Sequence, residues 1–400
     1  MWPVVWEWEI DEDEATELLT GLIAIESVNP SLVPGGSGEL EVARYIADYL
    51  RSVGLPVRLD EVVAGRPNVV AAIPPGNQGG DEALLDRHHG LILNGHTDTV
   101  SIEGMAHHPL RAPVRKGKVY GRGAFDMKGG VAMALLALAA VKRADVPLRR
   151  SVLFTGVMDE EYASLGTQDV VKRYTADAAI VTEPTGLTLH LAHKGFAWVA
   201  VETTGLAAHG SRPQEGIDAI TKMGKLLVAV ERLDQSYLRT KPHPLLGHPS
   251  IHASIIQGGR EMSTYPDRCV TQFERRTLPG EDPAVAAEEL DEICRRLAAE
   301  DRSFRAKVTL GLTRSAYEVD RNEGIVQALA SAFRAVTRRD PEYGVSSAWL
   351  DSAILGEAGI PTVIFGPDGA GPHTAREYVT LSSVMTGAKV LAEVIVQFCG

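Results

Sequence analysis

The chain has 400 residues, 44% hydrophobic and 23% charged, with 40 basic against 52 acidic side chains and a net charge of −12. This composition excludes a disordered chain, a collagen-like repeat and a coiled-coil rod, and at ~100–200 residues per domain the length predicts two or three units. The acidic balance argues against a nucleic-acid backbone as partner, which calls for a basic face.

The first residues run Met-Trp-Pro and then turn acidic from Glu7 to Glu17. A signal peptide needs basic residues followed by an apolar core, and neither is there. Trp2, Trp6 and Trp8 are expected to pack on the domain. Helices are predicted over 14–27 and 39–53, joined by a turn-rich loop. Strands are predicted at 68–73, 91–94, 151–158, 178–182 and 361–365, short apolar runs of the kind buried on both faces of a sheet. Helices are predicted at 128–143, 167–174 and 324–338. The longest apolar run, Val131 to Val141, is too short for the ~20 residues a bilayer demands and reads as core. Alternating strands and helices imply a largely parallel, helix-covered sheet.

The middle of the chain has another texture. Strand 196–204, helix 216–233, strands 251–257 and 268–276, helix 283–299 and strand 304–312 give the β-α-β-β-α-β order of a ferredoxin-like sandwich. The expected fold is therefore α/β, a catalytic domain of residues 1–186 and 312–400 with an α+β domain, 187–311, inserted into it. Cys269, Cys294 and Cys399 are few, odd in number and far apart. They predict a reduced protein in the cytoplasm rather than a disulfide framework.

Chemistry-bearing residues follow the core strands. Gly95-His96-Thr97-Asp98 comes after the second strand, Asp159-Glu160-Glu161 after the third, Glu183 after the fourth, and a loop with His373 after the fifth. Gly121-Arg122-Gly123-Ala124-Phe125-Asp126 leads into the apolar helix. Ligands of open α/β sheets gather beyond the carboxyl ends of the strands, so His96, Asp126, Glu161, Glu183 and His373 are candidates for one crevice. Imidazole and carboxylate without thiolate suit zinc, with cobalt or manganese as substitutes. Five ligands exceed one open tetrahedral site and suit two metals about 3.5–4 Å apart. Asp98, two residues from His96, is placed to accept the other imidazole N–H, and Glu160 to take a proton from water. Singly, a His-X-Asp or a Glu-Glu in a loop is more often mere polar surface; the repeated placement after buried strands favours a site. Other histidines, among them His88, His89, His107, His108, His243 and His248, are expected at the surface or in packing. Dinucleotide, phosphate-loop, serine-elbow and His-Glu-X-X-His motifs are all incomplete or missing.

The segments "GHTDTV" (95–100), "GRGAFDMKGG" (121–130), "MDEEYASLGTQ" (158–168), "TEPT" (182–185) and "PHTAREYV" (372–379) resemble the co-catalytic zinc amidohydrolases and exopeptidases, a family that includes acetylornithine deacetylase, succinyl-diaminopimelate desuccinylase, aminoacylase and glutamate carboxypeptidase. The resemblance implies that Asp126 bridges two zinc ions, that His96 and Glu183 hold one and Glu161 and His373 the other, and that Glu160 is the general base. It implies a cis peptide after Asp126. "GLAAHGSRPQEGIDAI" (205–220) looks like the family's dimerisation motif, in which His209 reaches the active site of the other subunit and stabilises the oxyanion. "QGGREMSTYPDRC" and "FERRTLPGED" match segments that bind a substrate carboxylate, with Arg276 at the arginine and Ser263 where many relatives carry asparagine.

The implied function is metal-dependent hydrolysis of the amide of an N-acyl amino acid by a homodimer that meets neither nucleic acid nor membrane. Met127-Lys128-Gly129-Gly130 looks most like the acetylornithine and succinyl-diaminopimelate branch. The alternatives are a metallocarboxypeptidase or dipeptidase of the same family, and a catalytically silent homologue that binds a small molecule.

Overall fold

The computed structural model describes residues 6–77, 84 and 86–400, so Trp2 lies outside the described residues. The chain divides into two compact units, Met1–Leu191 with Val319–Gly344 and Leu350–Gly400, and Ala192–Glu318 with Val345–Trp349. The divisions fall a few residues beyond 187 and 311, and a short return segment, Val345–Trp349, joins the second unit.

The first unit is organised by a mixed sheet. Strands Val152–Val157, His88–His96, Thr175–Val181 and Thr362–Ile364 lie side by side and parallel. Antiparallel strands extend both margins, Arg66–Ile73 and Val57–Val63 on one side and Leu189–His193 on the other. The parallel strands are apolar on both faces because both faces are covered. On one face Ile92, Leu153, Ala179 and Ile364 meet Val170 and Leu355 from the helices Leu165–Arg173 and Ser352–Glu357. On the other, helix Gly129–Arg143 is buried from Gly129 to Val141 and packs against helix Leu381–Cys399. Its all-round apolarity is thus that of a core helix. Trp8 is buried as well, its indole N–H donating to Glu393 at 2.9 Å. A small sheet that the sequence did not suggest joins Gly369–Ala370, Tyr378–Thr380, Lys118–Tyr120 and Val114–Arg115.

The second unit is a four-stranded antiparallel sheet in the order Ser250–Gly258, Arg268–Thr277, Gly195–Thr204, Ala306–Arg314. Helices Ala219–Arg232 and Val285–Glu300 cover one face. Ala197, Val199 and Val201 alternate inward along one strand, as a half-covered sheet requires. The same alternation separates two neighbouring arginines. Arg275 is fully buried among the carboxylates of Glu281 and Glu289. Arg276 turns to the open face, where its guanidinium pairs with Glu274 at 2.7 Å and lies 5.5 Å from the Phe196 ring centre.

Candidate metal centre

Three strand ends, a kinked segment and a loop deliver the site in the first unit. His96 ends the strand His88–His96, and Glu183 stands two residues beyond Thr175–Val181. Glu160 and Glu161 follow Val152–Val157 in a turn opened by Asp159, whose φ is 69°. Asp126 lies in the kinked segment Ala124–Lys128 ahead of the buried helix, and the Asp126–Met127 peptide is cis. His373 sits in a loop at a φ of 58°. Glycines allow the close approach. A Cβ on Gly130 would stand 1.8 Å from the Thr182 carbonyl oxygen, so only glycine lets the helix start beside Glu183.

These side chains converge around one carboxylate. His96 Nε2 lies 3.1 Å from Asp126 Oδ1 and 3.6 Å from Glu183 Oε1. His373 Nε2 lies 3.3 Å from Asp126 Oδ2 and 3.1 Å from Glu161 Oε2. Asp126 therefore offers one oxygen to each imidazole. Glu160 Oε2 comes within 4.0 Å of His96 Nε2. Two sets of donors lie close enough to share an ion, His96 with Asp126 and Glu161, and His96 with Glu160 and Glu183.

The carboxylate of Asp98 does more than lie beside the His96 ring. His96 Nδ1 is 3.0 Å from the Asp98 main-chain carbonyl and 3.5 Å from its carboxylate, so the carbonyl is the nearer acceptor. The carboxylate also accepts the backbone N–H of Glu160 and of Glu161, each at 3.1 Å, and the Asn29 amide at 2.7 Å. A residue two positions from His96 is close enough to bond its ring, but spacing does not say which oxygen turns toward it. Asp98 holds the Glu160–Glu161 turn in place.

The electrostatics match the geometry. Burial, with Glu183, Asp351 and Glu161 adding to it, pushes Glu160 well above the carboxylate range. Burial does the same to Glu183 and lifts Asp351 to about 6. Burial would also raise Asp126, but hydrogen bonds to His373 and His96 outweigh it and hold this carboxyl low. Hydrogen bonds to Asp126 and Glu161 raise His373 to about 10. Carboxylates outnumber their cationic partners here, and carboxylates taken out of water need compensating positive charge. His96 Nδ1 faces a carbonyl, which only accepts, so Nδ1 carries a proton. Its Nε2 then faces carboxylates and is satisfied by a second proton or by a cation. The oxygen and nitrogen donors, with no thiolate, fit divalent metal ions.

The remaining predicted residues lie in the second unit. His209 is exposed in a turn, with Nδ1 2.8 Å from Ser211 Oγ. Its main chain bridges to Thr264, and Gly210 N–H donates to the Ser263 carbonyl at 2.8 Å, so the His209 and Ser263 segments run side by side. Sequence reasoning gave no role to Arg122, Asp351 or Glu377. Arg122 and Glu377 stand inside the quoted motifs, but a charged loop residue looks solvated until its burial is known.

The carboxylate-rich, imidazole-bearing cluster at the carboxyl ends of parallel strands is of the kind that can hold metal ions. The chain belongs to peptidase family M20/M25/M40, whose family model matches residues 92–397. It is 28% identical to the N-formyl-4-amino-5-aminomethyl-2-methylpyrimidine deformylase of Bacillus subtilis, over 98% of this chain and 96% of that one. It is 29% identical to an acetylornithine deacetylase of Myxococcus xanthus, over 96% and 97%. Its fold is shared with a tripeptidase from Staphylococcus aureus, at a TM-score of 0.80 and 20% identity over 97% and 99% of the two chains. It is shared too with an M20 family metallo-carboxypeptidase from Sulfolobus solfataricus, at 0.78 and 17% over 96% and 99%.

Proposed function

We propose that the chain hydrolyses the amide bond of a small N-acyl compound, an N-acyl amino acid or a related N-acyl amine, using two divalent cations, with zinc the metal the donors suit. The observation that carries this reading is the arrangement of His96 and His373 on the two oxygens of Asp126, flanked by Glu183 and Glu161. His96, Asp126 and Glu183 would hold one cation and Asp126, Glu161 and His373 the other. Bound there, the cations supply Lewis acidity toward an acyl carbonyl and toward water.

Glu160 supplies the base. Its buried carboxyl, raised by its surroundings, suits a group that must take a proton from water and return it to the departing amine. Asp98 serves by fixing the Glu160 main chain. The roles of His209 toward the oxyanion and of Arg276 toward a substrate carboxylate are proposed from their place in the family motifs, as is a homodimer formed through the second unit. Arg276 is already paired with Glu274, so a carboxylate would have to compete for it.

The test is a hydrolysis panel with added zinc, cobalt or manganese. It spans an N-formyl aminomethylpyrimidine, acetylornithine, succinyl-diaminopimelate, acetylmethionine, an acylglutamate, and di- and tripeptides. Release of amine from an N-acyl compound ahead of peptides supports the reading. Preference for peptides moves the chain to the peptidases of the family, and no metal-dependent turnover refutes the assignment.

A further inference from the structure

Glu377 is a carboxylate only 1% exposed, four residues after His373, and its side chain bonds to main chain and to Arg122. Its Oε1 accepts the backbone N–H of Phe125 at 3.0 Å and of Asp126 at 3.1 Å. Its Oε2 accepts from Arg122 Nη1 at 2.7 Å. Arg122 is also buried, and donates onward to the Ser101 carbonyl at 2.8 Å and to the Thr374 carbonyl, next to His373, at 3.4 Å. The two segments meet again where Gly121 N–H donates to the Glu377 carbonyl at 3.2 Å and Tyr378–Thr380 pairs with Lys118–Tyr120. One buried ion pair thus grips the main chain of the shared aspartate and the loop that carries His373.

We infer that Glu377 and Arg122 are positioning residues that brace Asp126 against the His373 loop and so assemble the His373 half of the metal centre. The inference rests on the two-cation reading above. His96 and Glu183 stand on strand ends and keep their own places without this brace, so the His96 half depends on it only through the shared Asp126. His373 stands outside the main sheet, in the loop between the short paired strands Gly369–Ala370 and Tyr378–Thr380, and its 3.3 Å approach to Asp126 Oδ2 depends on the two segments keeping their register. Groups that orient metal ligands without touching the metal typically account for ~10–100-fold in affinity.

The test measures zinc and cobalt binding by calorimetry and mass spectrometry in the unchanged chain, Glu377→Gln and Arg122→Lys. In Glu377→Gln the first equivalent of metal should be weakened only slightly, through the shared Asp126, and the second ~10–100-fold. Turnover at limiting metal should fall and recover at high metal, with KM little changed. Without metal, the Phe125 and Asp126 amides should exchange hydrogen faster than in the unchanged chain. Arg122→Lys keeps a cation beside Glu377 but lacks the fork that reaches both carbonyls, so it should show a smaller loss at the second equivalent. It carries the same comparison if Glu377→Gln does not fold. Two equivalents bound with unchanged affinity in both variants would overturn the brace, and so would equal weakening of both equivalents, the mark of a merely structural role. An unchanged chain that binds fewer than two cations refutes the two-cation reading instead.

Discussion

The two halves of the proposed metal centre are built differently. The imidazole of His96 is 1% exposed, at the end of a central strand, with Nδ1 on a main-chain carbonyl and Glu183 arriving from the adjacent strand. The imidazole of His373 is 52% exposed, on a loop in the left-handed region, and its companion Glu161 stands in a turn. One half is fixed by the sheet hydrogen bonds that fold the domain. The other depends on loop contacts, which open more readily than a core strand. The two cations should therefore bind in sequence, the His96 half first and more tightly.

The sharpest way to break this comparison uses two adjacent residues. Glu160→Ala should leave two cations bound while turnover falls ~10²–10⁴-fold, the usual range for a general acid–base group. Glu161→Ala should keep the cation of the His96 half and lose or weaken that of the His373 half. Metal content by mass spectrometry alongside turnover decides it; a metal lost from Glu160→Ala and kept in Glu161→Ala would reverse the two roles.

A smaller effect probes the His96 half. Gly130→Ala drives a methyl group into the Thr182 carbonyl, which neither the strand nor the helix can easily yield. Overpacking of this kind costs about 1–3 kcal/mol. Urea unfolding should show that loss, and the first cation should bind more weakly while the second changes less. An alanine variant as stable as the parent would mean that the two elements slide apart freely.

The mildest test is pH. Without a cation, His373 holds its proton up to about 10, chiefly through hydrogen bonds to Asp126 and Glu161. A cation must displace that proton, so its apparent affinity for this half should rise with pH, by up to about tenfold per unit. The stability of the metal-free chain runs the other way. The His373 contribution is complete below its ordinary value of 6.5 and is lost as pH rises through about 10. Exposure to solvent keeps that contribution small. Calorimetry in buffers of different ionisation enthalpy should detect proton release on binding, and His373→Gln should reduce it.

The difference between the halves also explains what the sequence could tell. Continuous apolar strands followed at once by His96, Glu161 or Glu183 announce both a parallel sheet and a site at its edge, because one run of residues encodes burial and the next encodes chemistry. The margins of the sheet were less legible. Val57–Val63 reads VRLDEVV, partly polar, and Leu189–His193 is only five residues long. Side-chain direction was not legible either. Nothing in Gly95-His96-Thr97-Asp98 says that the main-chain oxygen of Asp98 faces the imidazole while its carboxylate turns to the next loop. The partners of Glu377 and Trp8 lie 255 and 385 residues away in the chain, beyond the reach of any local pattern.

The paired arginines of the second unit bear on how its sheet finds its register. Strand pairing has a period of two, so a slip by one residue exchanges the two faces. Slipped, the Arg268–Thr277 strand would carry Arg276 and Glu274 inward together and turn Arg275 away from Glu281 and Glu289. Taking that ion pair out of water is costly, and Glu281 and Glu289 would lose their cation. The buried Arg275 thus acts as a check on mispairing during folding, and the arginine beside it is kept on the open face by its neighbour's need for acid.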